Sequence, residues 1–257
     1  MRFSKWHALG NSYLLLERAE LGRPLDAELA RRLCDARTGI GSDGVLEVLS
    51  ADGARADVVV WNPDGSQAEF SGNGSRIAAA WLARRAGAPE VTVALSGRTH
   101  RARVREDGRV ALDVGEVEVG EIETLALGEE RVELTAVSVG NPHAVVRTEP
   151  ERGELLRLGP QLERNGRFPE RTNVQLVRVD GLHELTVLVW ERGAGETSAS
   201  GSSAVAAAAA AVANGWCESP VAVRMPGGEL YVELDEESRA TLVGPAVEIC
   251  EGELRLR

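Results

Sequence analysis

Cysteine is scarce in this chain, and the three cysteines present cannot build a disulfide framework. Cys34, Cys217 and Cys250 are odd in number and widely spaced, and no group of cysteine and histidine has the spacing of a zinc site. Unpaired thiols persist in reducing compartments. The sequence therefore predicts a cytoplasmic protein without a bound metal.

Long apolar runs are also missing. The longest, residues 204–213, falls far short of the roughly 20 apolar residues that a membrane-spanning helix requires. The residues that follow Met1 form no apolar region of the signal-peptide type. We therefore expect a soluble protein with no membrane partner.

Positive charge is in deficit, with 29 Lys and Arg against 40 Asp and Glu. Because nucleic-acid binding starts from clustered basic residues, we expect no nucleic-acid partner. Residues 39–44 lack the Lys-Ser/Thr end of a phosphate-binding loop, and no dinucleotide-binding glycine pattern stands in its required context. The sequence thus predicts no cofactor. Its 43% hydrophobic residues over 257 positions suffice for two domains of about 120–130 residues each.

Several features of the first half recur in the second half in the same order. Residues 58–60 and 187–189 form apolar runs, Trp61 and Trp190 end them, Ser71-Gly72 and Ser200-Gly201 follow, and alanine-rich segments come next at 77–80 and 204–213. The offset is 129, and Gly10-Asn11 and Gly140-Asn141 recur at 130. Each half therefore predicts a strand, a glycine loop and a buried helix. The alternative is a chance coincidence of small residues.

The duplication predicts an α/β fold with two similar domains, residues 1–117, completed by 248–257, and residues 118–247. Each Ser-Gly pair comes at the start of a helix, where free N–H groups and the helix dipole favour negative charge. Two such helix ends across a cleft would hold a carboxylate or an anionic intermediate. Ser71 and Ser200 could instead be ordinary N-caps.

Segments along nearly the whole chain, in order, resemble the diaminopimelate epimerases. They are residues 5–11, 39–44, 62–66, 71–76, 140–143, 191–201 and 225–230. The resemblance implies two pseudo-symmetric domains, each a barrel-like sheet around a central helix, with the active site in the cleft between them. It also implies an isomerase that converts LL- to meso-diaminopimelate for lysine and peptidoglycan precursors, and a homodimer. The partner would be a small-molecule amino acid.

The reaction of this family inverts an α-carbon without pyridoxal phosphate. One group must remove the weakly acidic α-proton while another returns a proton on the opposite face. The family uses a thiolate and a thiol, and a helix N-terminus lowers the pKa of such a thiol. In this chain Ser71 and Ser200 stand at the two cysteine positions. Each unit of pKa mismatch costs about 1.4 kcal/mol, so two serines alone make a poor proton-transfer pair.

The serine pair has two competing explanations, engineering of the two cysteines and natural divergence. Engineering would leave the neighbouring residues as the family has them. Instead Ser12, Ser75 and the Ser202-Ser203 pair also depart from the family pattern. These changes around the site favour natural divergence.

The remaining candidate residues match the family's amino-acid site. The resemblance places a set of polar and glycine residues around the substrate, namely Asn11, Asn62, Gly72, Asn73, Asn141, Asn173, Glu191, Arg192, Gly201 and Ser202. Arg192 can pair with a carboxylate through two hydrogen bonds, and Glu191 can hold an ammonium group. The alternative is a set of turn formers with a surface ion pair.

His143 is the most interesting of the remaining titratable residues, since a histidine titrates near neutral pH. We hypothesise that His143 and Glu191 carry the proton transfer, with Ser71 and Ser200 as hydrogen-bond donors. The alternative is a histidine satisfied near the 141–142 turn. His100 and His183 are expected to face solvent.

Three functions remain open from the sequence. The first is an amino-acid epimerase of the diaminopimelate type. The second is a related isomerase or dehydratase that needs only one effective base. The third is a catalytically silent amino-acid-binding protein that keeps the binding residues but has lost proton transfer.

Overall fold

The structure is a computed structural model that describes residues 1–68, 71–95 and 97–254. The helices are α1 (Ala27–Cys34), α2 (Gly72–Ala86), α3 (Arg152–Glu163) and α4 (Gly201–Ala213), and a single 3-10 turn covers Arg18–Glu20. The strands are β1 (Arg2–Ala8), β2 (Asn11–Glu17), β3 (Val45–Asp52), β4 (Arg55–Trp61), β5 (Glu90–Leu95), β6 (Arg98–Val104), β7 (Val110–Glu116), β8 (Glu118–Leu127), β9 (Glu130–Ser138), β10 (Pro142–Arg147), β11 (Asn173–Gly181), β12 (Glu184–Glu191), β13 (Gly195–Thr197), β14 (Val221–Met225), β15 (Gly228–Leu234), β16 (Arg239–Gly244) and β17 (Val247–Glu253).

The chain divides into two compact units. Unit 1 is Met1–Leu112 together with the segment that begins at Gly244, and unit 2 is Asp113–Val243. In unit 1 the strands pair in the order β17, β1, β2, β3, β4, β5, β6, β7, with β2–β3 and β4–β5 parallel. In unit 2 the order is β8, β9, β10, β11, β12, β14, β15, β16, with β10–β11 and β12–β14 parallel. The strand directions are therefore the same in both units, which confirms the predicted duplicated α/β fold.

A central helix fills the sheet of unit 1. Helix α2 contacts all six strands from β1 to β6, and its first turns are buried among them. Small side chains such as Ala78 and Ala79 let the surrounding strands come close to the helix axis. Gly87 ends the helix in the left-handed conformation at φ 63°, where a glycine costs least. Helix α1 packs separately, with Leu29 and Leu33 buried against Leu14 and Leu16 of β2.

Unit 2 repeats this arrangement with a more uniformly apolar helix. Helix α4 contacts β8 to β12, β14 and β15, and its residues 203–211 are all buried. A helix that is apolar all round belongs in a core, which explains the alanine run. Helix α3 packs Leu155 and Leu158 into a second cluster with Trp190. Gly159 leaves room for that indole, because a Cβ at this position would lie 2.7 Å from the ring.

The predicted local elements are confirmed in both halves. Residues 58–60 and 187–189 lie in β4 and β12, and Ser71 and Ser200 immediately precede α2 and α4. None of the helices in the described residues has the length and apolar character needed to cross a membrane.

Candidate active site

The hydroxyl of Ser71 lies at the start of α2 between two polar neighbours. Its Oγ accepts a hydrogen bond of 2.9 Å from the backbone N–H of Gly74, so Ser71 caps the helix. The phenol oxygen of Tyr13 lies 3.1 Å from the same Oγ. The N-cap alternative is thus confirmed for Ser71, and the hydroxyl also has a partner that the sequence did not indicate.

A chain of polar side chains joins Asn11 to the interior of unit 1. The side-chain amide of Asn73 donates to Asn11 Oδ1 at 3.2 Å, and Asn73 Oδ1 accepts from Arg76 at 2.6 Å. Arg76 is fully buried and also donates to the carbonyl of Gly72 at 3.3 Å. Burial lowers the pKa of Arg76 to about 10, which leaves the guanidinium charged at neutral pH. The structure therefore brings three predicted site residues together beside a buried cation.

Asn62 lies in the turn that follows β4 and bonds mainly within it. Its side-chain amide donates to Ser66 Oγ at 2.9 Å, and its backbone N–H donates to the carbonyl of Ser66 at 2.8 Å. Over the described ranges, no hydrogen bond joins Asn62 to Ser71 or Asn11. The side chain of Asn62 thus stabilises its own turn.

Ser200 has the equivalent position at the start of α4, but its hydroxyl makes no capping bond. It interacts with the carboxyl group of Glu191 at the end of β12. Burial raises the pKa of Glu191, and the hydrogen bond from Ser200 offsets part of that rise. A carboxylate with a raised pKa is suited to accept a proton near neutral pH. The structure therefore pairs two of the predicted catalytic residues.

The turn after β12 is fixed by hydrogen bonds to Glu163 of α3. The indole N–H of Trp190 donates to this buried carboxylate at 2.8 Å, and the backbone N–H of Gly193 donates at 3.0 Å. Burial alone would raise the pKa of Glu163, but these two bonds and the nearby arginines hold it below its usual value. Glu163 thus orients the segment that carries Glu191 and Arg192.

Asn173 and Arg192 meet through the backbone of the same turn. Asn173 Oδ1 accepts from the backbone N–H of Arg192 at 3.0 Å, and the Asn173 amide donates to the carbonyl of Pro142 at 3.0 Å. The guanidinium of Arg192 donates to the carbonyl of Glu170 at 3.2 Å. Asn173 therefore ties the start of β10 to the turn that carries Arg192.

His143 lies fully buried in β10 with both ring nitrogens bonded. The side-chain amide N–H of Gln175 donates to Nδ1 at 3.0 Å, so Nε2 carries the proton and faces Asn141 Oδ1 at 3.1 Å. The same amide donates to Ser203 Oγ at 3.0 Å. Burial, with a smaller contribution from the charge of Arg192, lowers the pKa of His143 to about 3. The ring is neutral, and this geometry favours orienting Asn141 over donating a proton.

Two predicted binding residues lie in the first turn of α4. Gly201 is buried and Ser202 is half-buried, and the helix's first backbone bond runs from the N–H of Ala204 to the carbonyl of Ser200. Since Ser200 does not cap the helix, Gly201 and Ser202 present backbone N–H groups that can receive an anion.

Sequence reasoning missed four polar residues of these two groups, namely Tyr13, Arg76, Gln175 and Ser203. Gln175 carried the clearest signal, because it interrupts an apolar strand in which the neighbouring residues 174 and 176 are buried. The expectation that His100 faces solvent is wrong, since this side chain is buried at 6% exposure. His183 is exposed, as expected.

Metal-binding geometry is not found in the part of the chain that the structure describes. No group of three or more His, Cys, Asp or Glu side chains in that part could hold a metal ion.

The site residues fall into two groups, one around Ser71 in unit 1 and one around Ser200 in unit 2.

The two equivalent sheets, each around a central helix, give this chain the fold of solved racemases and epimerases. A predicted epimerase from Pseudomonas aeruginosa has this fold, with a TM-score of 0.71, 18% identity, and 100% of this chain and 99% of that chain covered. The sequence model of the family described as diaminopimelate epimerase matches residues 3–120 and 135–249.

Two relatives named diaminopimelate epimerase align over nearly the whole chain. The protein from Magnetococcus marinus is 38% identical, covering 98% of this chain and 96% of its own length. The protein from Pseudomonas entomophila is 35% identical, covering 100% and 99%. The chain belongs to the diaminopimelate epimerase family, and the predicted isomerase class is confirmed.

Proposed function

We propose that the protein inverts the α-carbon of a diaminopimelate-type amino acid without a cofactor, converting the LL to the meso isomer. The observation that carries this proposal is the pairing of Ser200 with Glu191 in a chain that matches the epimerase family along its length. A serine alone is a weak base, and the adjacent carboxylate supplies the missing basicity. Supply of lysine and peptidoglycan precursors would follow from this reaction.

Proton removal is assigned to the Glu191–Ser200 pair. As the substrate's α-proton moves to Ser200 Oγ, the hydroxyl proton of Ser200 moves to the Glu191 carboxylate. Burial raises the pKa of Glu191, which brings this carboxylate nearer to the pH at which a general base works best. Ser71, at the equivalent helix start of unit 1, is assigned the return of a proton on the opposite face.

The binding residues are assigned to the charged ends of the amino acid. The backbone N–H groups of Gly72, Gly201 and Ser202 lie in the first helical turns, which favour the α-carboxylate and the developing carbanion. The buried guanidinium of Arg76 adds positive potential near the start of α2. Arg192 is assigned to the distal carboxylate.

The two structural units are proposed to act as the two epimerase-type domains, 1–117 completed by 248–257, and 118–247. The neutral, doubly bonded ring of His143 supports an orienting role toward Asn141, with Asn173 holding the neighbouring backbone. Asn62 is assigned to the rim of the site through its turn. These assignments support an amino-acid ligand with two charged ends.

The test is deuterium incorporation at the α-carbon of LL- and meso-diaminopimelate in deuterated water, with the Ser71→Cys/Ser200→Cys variant in parallel. Incorporation by the natural chain supports the proposal, and we expect the double variant to be faster because thiols are stronger acids than alcohols. Binding without incorporation by the natural chain would overturn it in favour of the silent binding protein. Release of water from a hydroxylated amino acid would favour a dehydratase.

We further propose that the protein works as a cytoplasmic homodimer. Cys34, Cys217 and Cys250 are free thiols, which suits a reducing compartment. The apolar side chains of Val247 and Ile249 are about half exposed on β17, and a partner would cover them. Sedimentation velocity of the purified chain tests the dimer, and a monomer at micromolar concentration would contradict it.

A further inference from the structure

Tyr13 stands at a position that the duplication makes equivalent to His143. Gly10-Asn11 and Gly140-Asn141 recur at an offset of 130, and the same offset relates residue 13 to residue 143. Asn11 and Tyr13 lie on the same face of β2, since strand side chains alternate. That face meets the start of α2, where Asn11 bonds Asn73 and Tyr13 bonds Ser71.

The phenol ring of Tyr13 is held in a slot that depends on Gly44. A Cβ at residue 44 would lie 2.6 Å from Cε1 of the ring and 2.8 Å from the carbonyl of Trp61. The ring is buried at 7% exposure, and its hydroxyl lies 3.1 Å from Ser71 Oγ. Packing therefore fixes the position of the Tyr13 hydroxyl. A side chain that has to act at one position must be held there by its surroundings.

The two serines differ in the acidic partner that each one contacts. Ser200 contacts the carboxyl group of Glu191, whereas residue 62, which the offset of 129 makes equivalent to Glu191, is an asparagine bonded to Ser66. In unit 1 the hydroxyl of Tyr13 contacts Ser71 instead. A phenol is a much stronger acid than an aliphatic alcohol.

We propose that Tyr13 is a positioning residue and proton relay for Ser71, an inference that rests on the proposed function. A serine hydroxyl has one donor and two acceptor sites. The hydroxyls of Tyr13 and Ser71 lie 3.1 Å apart, so either one can donate. In this proposal the Tyr13 O–H is the donor, and since Ser71 Oγ also accepts the Gly74 N–H, the proton of Ser71 points at the substrate.

The proton moves in two linked transfers. The O–H bond of Ser71 breaks as the α-carbon gains its proton, and the O–H bond of Tyr13 breaks as Ser71 regains one. The negative charge of the carbanion ends on the phenolate oxygen of Tyr13. In the reverse direction the phenolate accepts the proton of Ser71 while Ser71 takes the α-proton.

The first test compares the natural chain with Tyr13→Phe, which keeps the ring in its slot and removes only the hydroxyl. We expect α-deuterium incorporation to fall about tenfold or more for one stereoisomer of diaminopimelate, with KM little changed. Incorporation that is unchanged, or that falls equally for both isomers together with a raised KM, would overturn the relay.

The second test does not depend on turnover, so it separates failure of the relay from failure of the proposed function. In a Cys250→Ser background, the Ser71→Cys thiol is titrated by its rate of alkylation against pH, with and without Tyr13→Phe. We expect loss of the phenol to raise the pKa of this thiol by about half a unit or more, because a hydrogen bond to the thiolate is lost. An unchanged titration would overturn the proposal even in an inactive chain.

Discussion

Ser71 and Ser200 hold equivalent positions 129 residues apart, yet only Ser71 caps its helix. Ser71 Oγ accepts the N–H of Gly74 at 2.9 Å, whereas the hydroxyl of Ser200 makes no capping bond and contacts the carboxyl group of Glu191. The two positions thus offer different environments to an anion. An N–H donor stabilises a negative charge, and an adjacent carboxylate opposes it.

This difference predicts the order of two thiol pKa values. We introduce Ser71→Cys and Ser200→Cys separately in a Cys250→Ser background and follow alkylation against pH. The thiol at position 71 should have the lower pKa, by about one unit or more, because a helix N–H favours its thiolate and Glu191 disfavours the other. Residue-specific mass spectrometry keeps the signals of the buried Cys34 and Cys217 apart. A lower pKa for the thiol at position 200 would contradict the orientations assigned here, with Ser71 toward the N–H of Gly74 and Ser200 toward the carboxyl group of Glu191.

Replacing the carboxylate of Glu191 should affect catalysis far more than binding. Glu191→Gln keeps the size of the side chain but removes the proton acceptor, so we expect kcat to fall by about 10²–10⁴-fold. The matched control is Glu196→Gln in β13, whose carboxylate pairs on the surface with Arg152 at 2.9 Å. Deuterium incorporation should be nearly unchanged in that control. Equal losses in the two variants would argue against Glu191 as the base.

Much of the fold could be predicted because the repeat is visible in local sequence. An apolar run, the tryptophan that ends it and an alanine-rich segment predict the strand and the helix of each half, and the recurrence of this order in the second half predicts the duplication.

The burial of His100 could also have been predicted, because this residue alternates with exposed Arg101 and Arg103 in β6 and lies on the same face as buried Ala102. The alternation along β6 therefore indicates the buried side for His100, contrary to the expectation that it faces solvent.

The partners of the two serines could not be predicted from local sequence. Tyr13 is 58 residues from Ser71 along the chain, and only the pairing of β2 with its neighbours brings the two hydroxyls to 3.1 Å. Nothing near Ser200 indicates that its hydroxyl turns from its own helix toward Glu191. The orientations of both serine hydroxyls depend on tertiary packing, which the spacing of residues along the sequence does not reveal.

Glu163 should stabilise the protein and orient the turn that carries Glu191. Glu163→Gln leaves one oxygen for three donors, Trp190, Gly193 and Arg171, so we expect a loss of about 1–3 kcal/mol in the free energy of unfolding by urea. Glu154→Gln on the same helix serves as the control, because its ion pair with Arg157 lies on the surface and contributes about 0–1 kcal/mol.

The same substitution also has a predicted pH dependence. The pKa of Glu163 is lowered in the folded state. Its contribution is therefore present above the pKa of an unfolded glutamate and is lost as the pH falls below that value. The cost of Glu163→Gln should shrink on acidification, and a cost that is constant with pH would contradict the role of its charge.

His143 is the opposite case to Glu163, because folding favours the neutral form of His143 and the charged form of Glu163. Burial lowers its pKa from 6.5 to about 3. Between these values the unfolded chain binds a proton at this residue and the folded chain does not, so stability is lost as the pH falls. The slope is about 1.4 kcal/mol per pH unit.

From pH 7 to pH 5 the natural chain should therefore lose about 2 kcal/mol more stability than His143→Gln, which cannot take up that proton. Glu191 and the other carboxyl groups are common to both proteins, so their contributions cancel in the comparison. Urea unfolding of both proteins at the two pH values measures this difference, and parallel losses would mean that the imidazole has the same pKa in the folded and unfolded chain, which would contradict the neutral, orienting role of His143.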